Sequence, residues 1–61
     1  MTTATVKQHL RDDKRLRERV ARRLHISERT VRRYVTGQLV SRASAYAILQ
    51  VARHELGAVE P

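Results

Sequence analysis

Apolar residues recur along this chain at helical spacing. Val6 and Leu10 stand four apart, and Leu16, Val20 and Leu24 repeat every fourth residue. Val31, Tyr34 and Val35 fall at i, i+3 and i+4, and Ala45, Ile48, Leu49, Ala52 and Leu56 extend the same three-and-four pattern. Each set lays an apolar stripe along one helix, with polar residues on the other side. Residues that start or stop helices lie between the sets. Thr3 or Thr5 can cap the first helix, Asp13 the second, Ser27 the third, and Ser41 or Ser44 the last, because each side-chain oxygen can accept from a free N–H of the next turn. Gly37 is placed to end the third helix in a left-handed conformation, and Gly57 follows the last. The pattern predicts an all-α, compact four-helix domain with helices over about 4–11, 14–24, 28–36 and 42–56. It makes 1–61 a single domain, with disordered tails expected at about 1–3 and 58–61.

Size limits the core. A chain of 61 residues buries roughly 60% of its unfolded surface, which leaves a narrow margin of stability. It has no Phe and no Trp, so the core falls to Val6, Leu10, Leu16, Val20, Leu24, Ile26, Val31, Tyr34, Val35, Ile48, Leu49 and Leu56. Each contributes roughly 1.5–3 kcal/mol when fully buried, against about 1–2 kcal/mol of backbone entropy per residue. Without cysteine there is neither a disulfide framework nor a thiolate zinc site. No apolar run approaches the roughly 18 residues of a membrane span, and the N-terminus is polar, unlike a signal peptide. The expected location is the cytoplasm.

Charge adds what the stripes do not. The net charge is +7, and residues 14 to 33 hold all of the excess. Lys14, Arg15, Arg17, Arg19, Arg22, Arg23, Arg29, Arg32 and Arg33 stand there against only Glu18 and Glu28. The rest of the chain balances. Such a concentration implies a polyanionic partner. Eight of the nine cations are Arg, whose planar fork of donors suits phosphate and guanine edges. A general coding bias toward Arg would raise it everywhere, yet the C-terminal part has only Arg42 and Arg53.

The basic stretch also carries a motif. Val20-Ala21-Arg22-Arg23-Leu24-His25-Ile26-Ser27-Glu28-Arg29-Thr30-Val31-Arg32-Arg33 runs as apolar-Ala-x-x-Leu-x-apolar-Ser-x-x-Thr-Val-x-Arg. Ala21 is small where two crossing helices approach closely, and Ile26 can plug the gap between them. This resembles the helix-turn-helix of DNA-binding regulators, in particular the Cro and lambda-repressor-like group, over about twenty residues. One departure is His25, where the family usually has Gly because the backbone turns left-handed. His visits that region more readily than most residues. The relatives also often carry Pro in the loop after the third helix, and this chain has none there.

The resemblance implies sequence-specific binding of double-stranded DNA through a recognition helix in the major groove. The expected base contacts are Glu28, Arg29, Arg32, Arg33 and Thr36, with the arginines favouring guanine O6 and N7. Glu28 could accept from cytosine N4, orient an arginine, or serve only as a helix-start charge. Arg17, Ser27, Gln38, Ser41 and Arg42 are the expected phosphate contacts. Tyr34 reads as core. Glu18 and Arg22 are spaced for a helix-stabilising pair. Leu39 and Val40 either fold inward or form an apolar patch, and Tyr46, Ala47 and Val51 widen the last helix's apolar arc. A homodimer through the last helix or the 38–40 loop would follow.

The implied activity is that of a small phage- or prophage-type transcriptional repressor acting at the nucleoid. No cofactor, metal, small-molecule ligand or membrane is expected. The stretch Arg29–Val35 also resembles the DNA-binding units of site-specific recombinases and of proteins that bind replicon ends, which would make the chain a targeting module. A helical protein-interaction or RNA-binding domain is the alternative outside DNA, though only Tyr34 and Tyr46 are present for base stacking. Nothing marks an enzyme: Asp12 and Asp13 lack a histidine, nucleophile or second carboxylate at a workable spacing, and His9 and His54 read as surface residues.

Overall fold

Side chains begin the helices of this protein, and left-handed residues end two of them. The computed structural model describes residues 2–57; the expected C-terminal tail lies outside them. Four helices form, with no strand among the described residues: α1 (Thr3–Asp12), α2 (Lys14–Leu24), α3 (Glu28–Val35) and α4 (Arg42–Gly57). The chain is therefore an all-α, four-helix domain. Thr2 caps α1, rather than Thr3 or Thr5: its hydroxyl accepts from Thr5 N–H at 3.2 Å and pairs with the Thr5 hydroxyl at 2.9 Å. The helix thus starts inside the stretch expected as a tail. Asp13 serves two helices. Its backbone N–H donates to His9 C=O at 2.9 Å, closing α1, and its carboxylate accepts from Leu16 N–H at 3.2 Å, opening α2. Ser41, not Ser44, caps α4 by accepting from Ser44 N–H at 3.1 Å.

The turn between α2 and α3 takes three residues. His25 is left-handed at φ 55, ψ 41. Its N–H reaches Arg22 C=O at 3.3 Å, and Ile26 N–H reaches Ala21 C=O at 3.0 Å. These two bonds satisfy carbonyls that a helix end otherwise leaves free. Ile26 packs against the core. Ser27 then opens α3, its hydroxyl accepting from Thr30 N–H at 3.3 Å. The end of α3 repeats the device with glycine. Gly37 sits at φ 79, its N–H bonds Tyr34 C=O at 3.3 Å, and Gln38 N–H bonds Arg33 C=O at 2.9 Å.

All four helices feed one core: Val6 and Leu10 from α1; Leu16, Val20 and Ala21 from α2; Val31, Tyr34 and Val35 from α3; Ile48 and Ala52 from α4. Four residues expected there, Leu24, Ile26, Leu49 and Leu56, are only half-buried, whereas Ala21 and Ala52 are buried. Helices α1 and α2 each pack against every other helix, whereas α3 and α4 barely meet. The outer face of α3 is consequently left uncovered by the rest of the fold. Lys7 adds a cation–π contact, its Nζ 4.7 Å from the Tyr34 ring centre.

Candidate nucleic-acid interface

The uncovered side of α3 follows from its own sequence. At about 100° per residue, Val31, Tyr34 and Val35 point to the core, which turns Arg29, Arg32 and Arg33 together to the outside. The structure brings these arginines together with Lys14, Arg17, Glu28, Thr36 and Gln38 around one open groove of about 720 Å³. All five expected base contacts thus line a single surface, with two of the expected phosphate contacts at its margins. Five cations share it with one carboxylate. Among the described residues, Lys14, Arg29, Arg32 and Arg33 have no ion-pair partner. Among the described residues Glu28 is the one carboxylate that lines the groove with them, and the excess of positive charge makes the groove a natural seat for an anion.

The remaining expected phosphate contacts are distributed differently. Ser27 is exposed, and its hydroxyl is engaged with Thr30 in capping α3. Ser41 is likewise engaged with Ser44, at 2.8 Å between hydroxyls. Arg42 is exposed at the start of α4. None of these three lines the groove. Arg17 does, but it also has work inside the fold: its Nη1 donates to Leu10 C=O at 2.9 Å and to Arg11 C=O at 2.7 Å. Arg11 in turn donates from Nη2 to Val35 C=O at 3.3 Å, so it serves the C-terminal end of α3 rather than that of its own helix.

Lys14 is a groove residue that the contact expectations missed. It stands seven positions, about two turns, before Ala21, and so lies on the side of α2 that faces α3. That spacing was readable once Ala21 was taken as the helix contact. The pairing on the other side of α2 was not readable. Arg23 Nη1 donates to Glu55 Oε1 at 2.7 Å, and Arg19 Nη1 lies 4.0 Å from Glu55 Oε2. The hydrogen bond from Arg23, with the charges of Arg23, Arg19 and His54, holds the Glu55 carboxyl below its ordinary range despite its desolvation. The charge excess of residues 14 to 33 is therefore divided, one part partnered by α4 and one part open in the groove. The expected Glu18–Arg22 pair is not formed.

Tyr34 is 7% exposed and belongs to the core, as expected. Burial raises its phenol above the ordinary value, against a lowering by Arg53. Leu39 and Val40 part company: Leu39 is 95% exposed, while Val40 packs against the core. On α4, Tyr46 is 66% exposed, whereas Val51 leans on the core. No helix among the described residues is long and apolar enough to cross a membrane. Comparisons with protein-family models, with curated proteins and with solved structures found no match to this chain.

Proposed function

We propose that this protein binds double-stranded DNA in a sequence-specific manner, with α3 as the recognition helix, and acts as a small transcriptional repressor of the phage type. One observation carries the reading: α3 leaves Arg29, Arg32 and Arg33 unpaired on a face that no other helix covers, beside Lys14 and Arg17 of α2. An α-helix with its side chains is about 10–12 Å across, which fits a major groove about 12 Å wide. Arginine forks at its surface can take guanine O6 and N7 there. Lys14, Gln38 and Arg42, on flanking elements, then approach the phosphates. The resemblance of residues 20–33 to a helix-turn-helix supports the same assignment. Leu39 and Tyr46, both exposed, are the surfaces through which a second copy would join, setting two recognition helices about one DNA turn apart.

Selection of bound duplexes from a random pool, followed by affinity measured against salt, tests this. A palindromic motif supports a dimeric repressor, and a single half-site supports a monomeric module. Counterion release contributes about −0.9 per phosphate neutralised, so a log–log slope of roughly −3 to −5 per subunit is expected. An affinity indifferent to salt, or a pool left unenriched, refutes the assignment.

A further inference from the structure

The acidic residue in the basic groove has a structural partner that does not fit a plain helix-start charge. Arg17 is only 16% exposed at its side chain. Its Nη1 holds the carbonyls of Leu10 and Arg11 in the last turn of α1, where the helix leaves acceptors free and favours a cation. Its Nε is buried without a hydrogen-bond partner. The nearest acceptor across the ion pair is Glu28 Oε1, at 3.7 Å, beyond hydrogen-bond reach. A buried N–H left short is unfavourable, and a small movement of Glu28 toward Arg17 relieves it. The Glu28 carboxylate makes no hydrogen bond among the described residues, and Arg17 is its ion-pair partner there. Glu28 opens onto the groove from the first residue of α3, the end of a recognition helix that meets base edges.

We propose that Glu28 selects a cytosine by accepting from its N4 amino group, and that Arg17 is a positioning residue for Glu28 rather than a phosphate ligand. This rests on the DNA-binding reading and extends it to a specific base. A carboxylate only accepts. In the major groove, cytosine offers a lone donor, whereas adenine sets an N7 acceptor beside its amino group and guanine and thymine present acceptors. A carboxylate held away from phosphates by a fixed arginine thus rewards one base and is repelled at the others. Nη1 of Arg17 is already engaged by the two α1 carbonyls, and its Nε faces Glu28.

Random-pool selection with the full chain, with Glu28→Gln and with Arg17→Lys tests the proposal. The unaltered chain should enrich a C·G pair at one position. Glu28→Gln should shift that position toward A·T, which glutamine reads bidentately, by roughly tenfold or more in relative affinity, with the other positions unchanged. Arg17→Lys keeps the charge and a donor for the α1 carbonyls but has no Nε. It should weaken the preference at that same position while leaving the salt slope unchanged. Helical circular dichroism confirms that each variant is folded, and Glu28→Gln, at a groove-facing position, decides the matter if Arg17→Lys is not. A motif indifferent to Glu28→Gln overturns the proposal alone. So does an Arg17→Lys variant that loses affinity equally on every sequence with a salt slope shallower by about one, the behaviour of a phosphate contact. Failure of the unaltered chain to enrich any sequence overturns the DNA reading and this inference together.

Discussion

The turn that sets α3 against α2 rests on a residue with a β-carbon in a conformation that suits glycine, and replacing it should strengthen the protein. His25 lies at φ 55, ψ 41. For an L-residue, the clash of Cβ with the following carbonyl costs roughly 1–2 kcal/mol, and His belongs at the lower end because it tolerates this region better than most. Glycine removes the clash but loses about 0.5–1 kcal/mol more chain entropy on folding. The His25 side chain is exposed and makes no hydrogen bond among the described residues, so its removal forfeits little. The balance favours His25→Gly by about 0.5 kcal/mol. For a domain of this size, 1 kcal/mol moves the melting temperature by about 4–8 °C, so a rise of about 2–4 °C is expected. His25→Val should act the other way and more strongly, because a branched β-carbon is least compatible with positive φ. Thermal melts by circular dichroism, at one protein concentration so that any self-association is held constant, measure both. A lower melting temperature for His25→Gly, or a valine variant as stable as the parent, would refute the strain argument.

Three further outcomes are expected. Arg32→Ala should lose roughly 1–3 kcal/mol of binding to the preferred duplex and relax the choice at one base pair; an equal loss on all sequences, measured by competition binding, reassigns Arg32 to phosphate. Ile48→Ala removes a fully buried side chain that α4 contributes to the core, at a cost of about 2–5 kcal/mol, enough to leave so small a domain substantially unfolded at 37 °C by circular dichroism; a folded variant with an unchanged melt shows that α4 is dispensable to the core. Glu55 has its folded pKa lowered by Arg23, so its stabilisation is fully present above the ordinary glutamate value of about 4.3 and is lost as pH falls through the lower folded value. Glu55→Gln should therefore be less stable than the parent at pH 7, with the gap closing in acid; a gap that stays constant down to pH 3 contradicts the Arg23–Glu55 bond.

Local chemistry wrote much of this fold into the sequence. The stripes of Leu16 and Val20, or of Val31, Tyr34 and Val35, are geometry at 3.6 residues per turn, and they settle which face of each helix turns inward. Asp13, Ser27 and Gly37 act on backbone groups within a few residues of themselves, so their roles needed no knowledge of the rest. The outward face of Arg29, Arg32 and Arg33 was legible for the same reason: it is what remains once the apolar face is assigned. The function drawn from that face is a reading of its chemistry.

What tertiary structure alone decided is long-range. Glu55 meets Arg23 across 32 positions of sequence, and no local pattern announces such a partner, so the division of the basic cluster into a paired and an open part was hidden. Arg17 read from the sequence as a phosphate contact, and only the placement of α1 beside it shows its guanidinium engaged by the carbonyls of Leu10 and Arg11. Leu39 and Val40, neighbours of like hydropathy, were separated because a loop residue's burial depends on which helix passes beneath it. Above all, that α3 and α4 scarcely touch is a property of how four stripes share one core. It leaves the arginine face of α3 open to solvent, which its sequence could orient but could not guarantee.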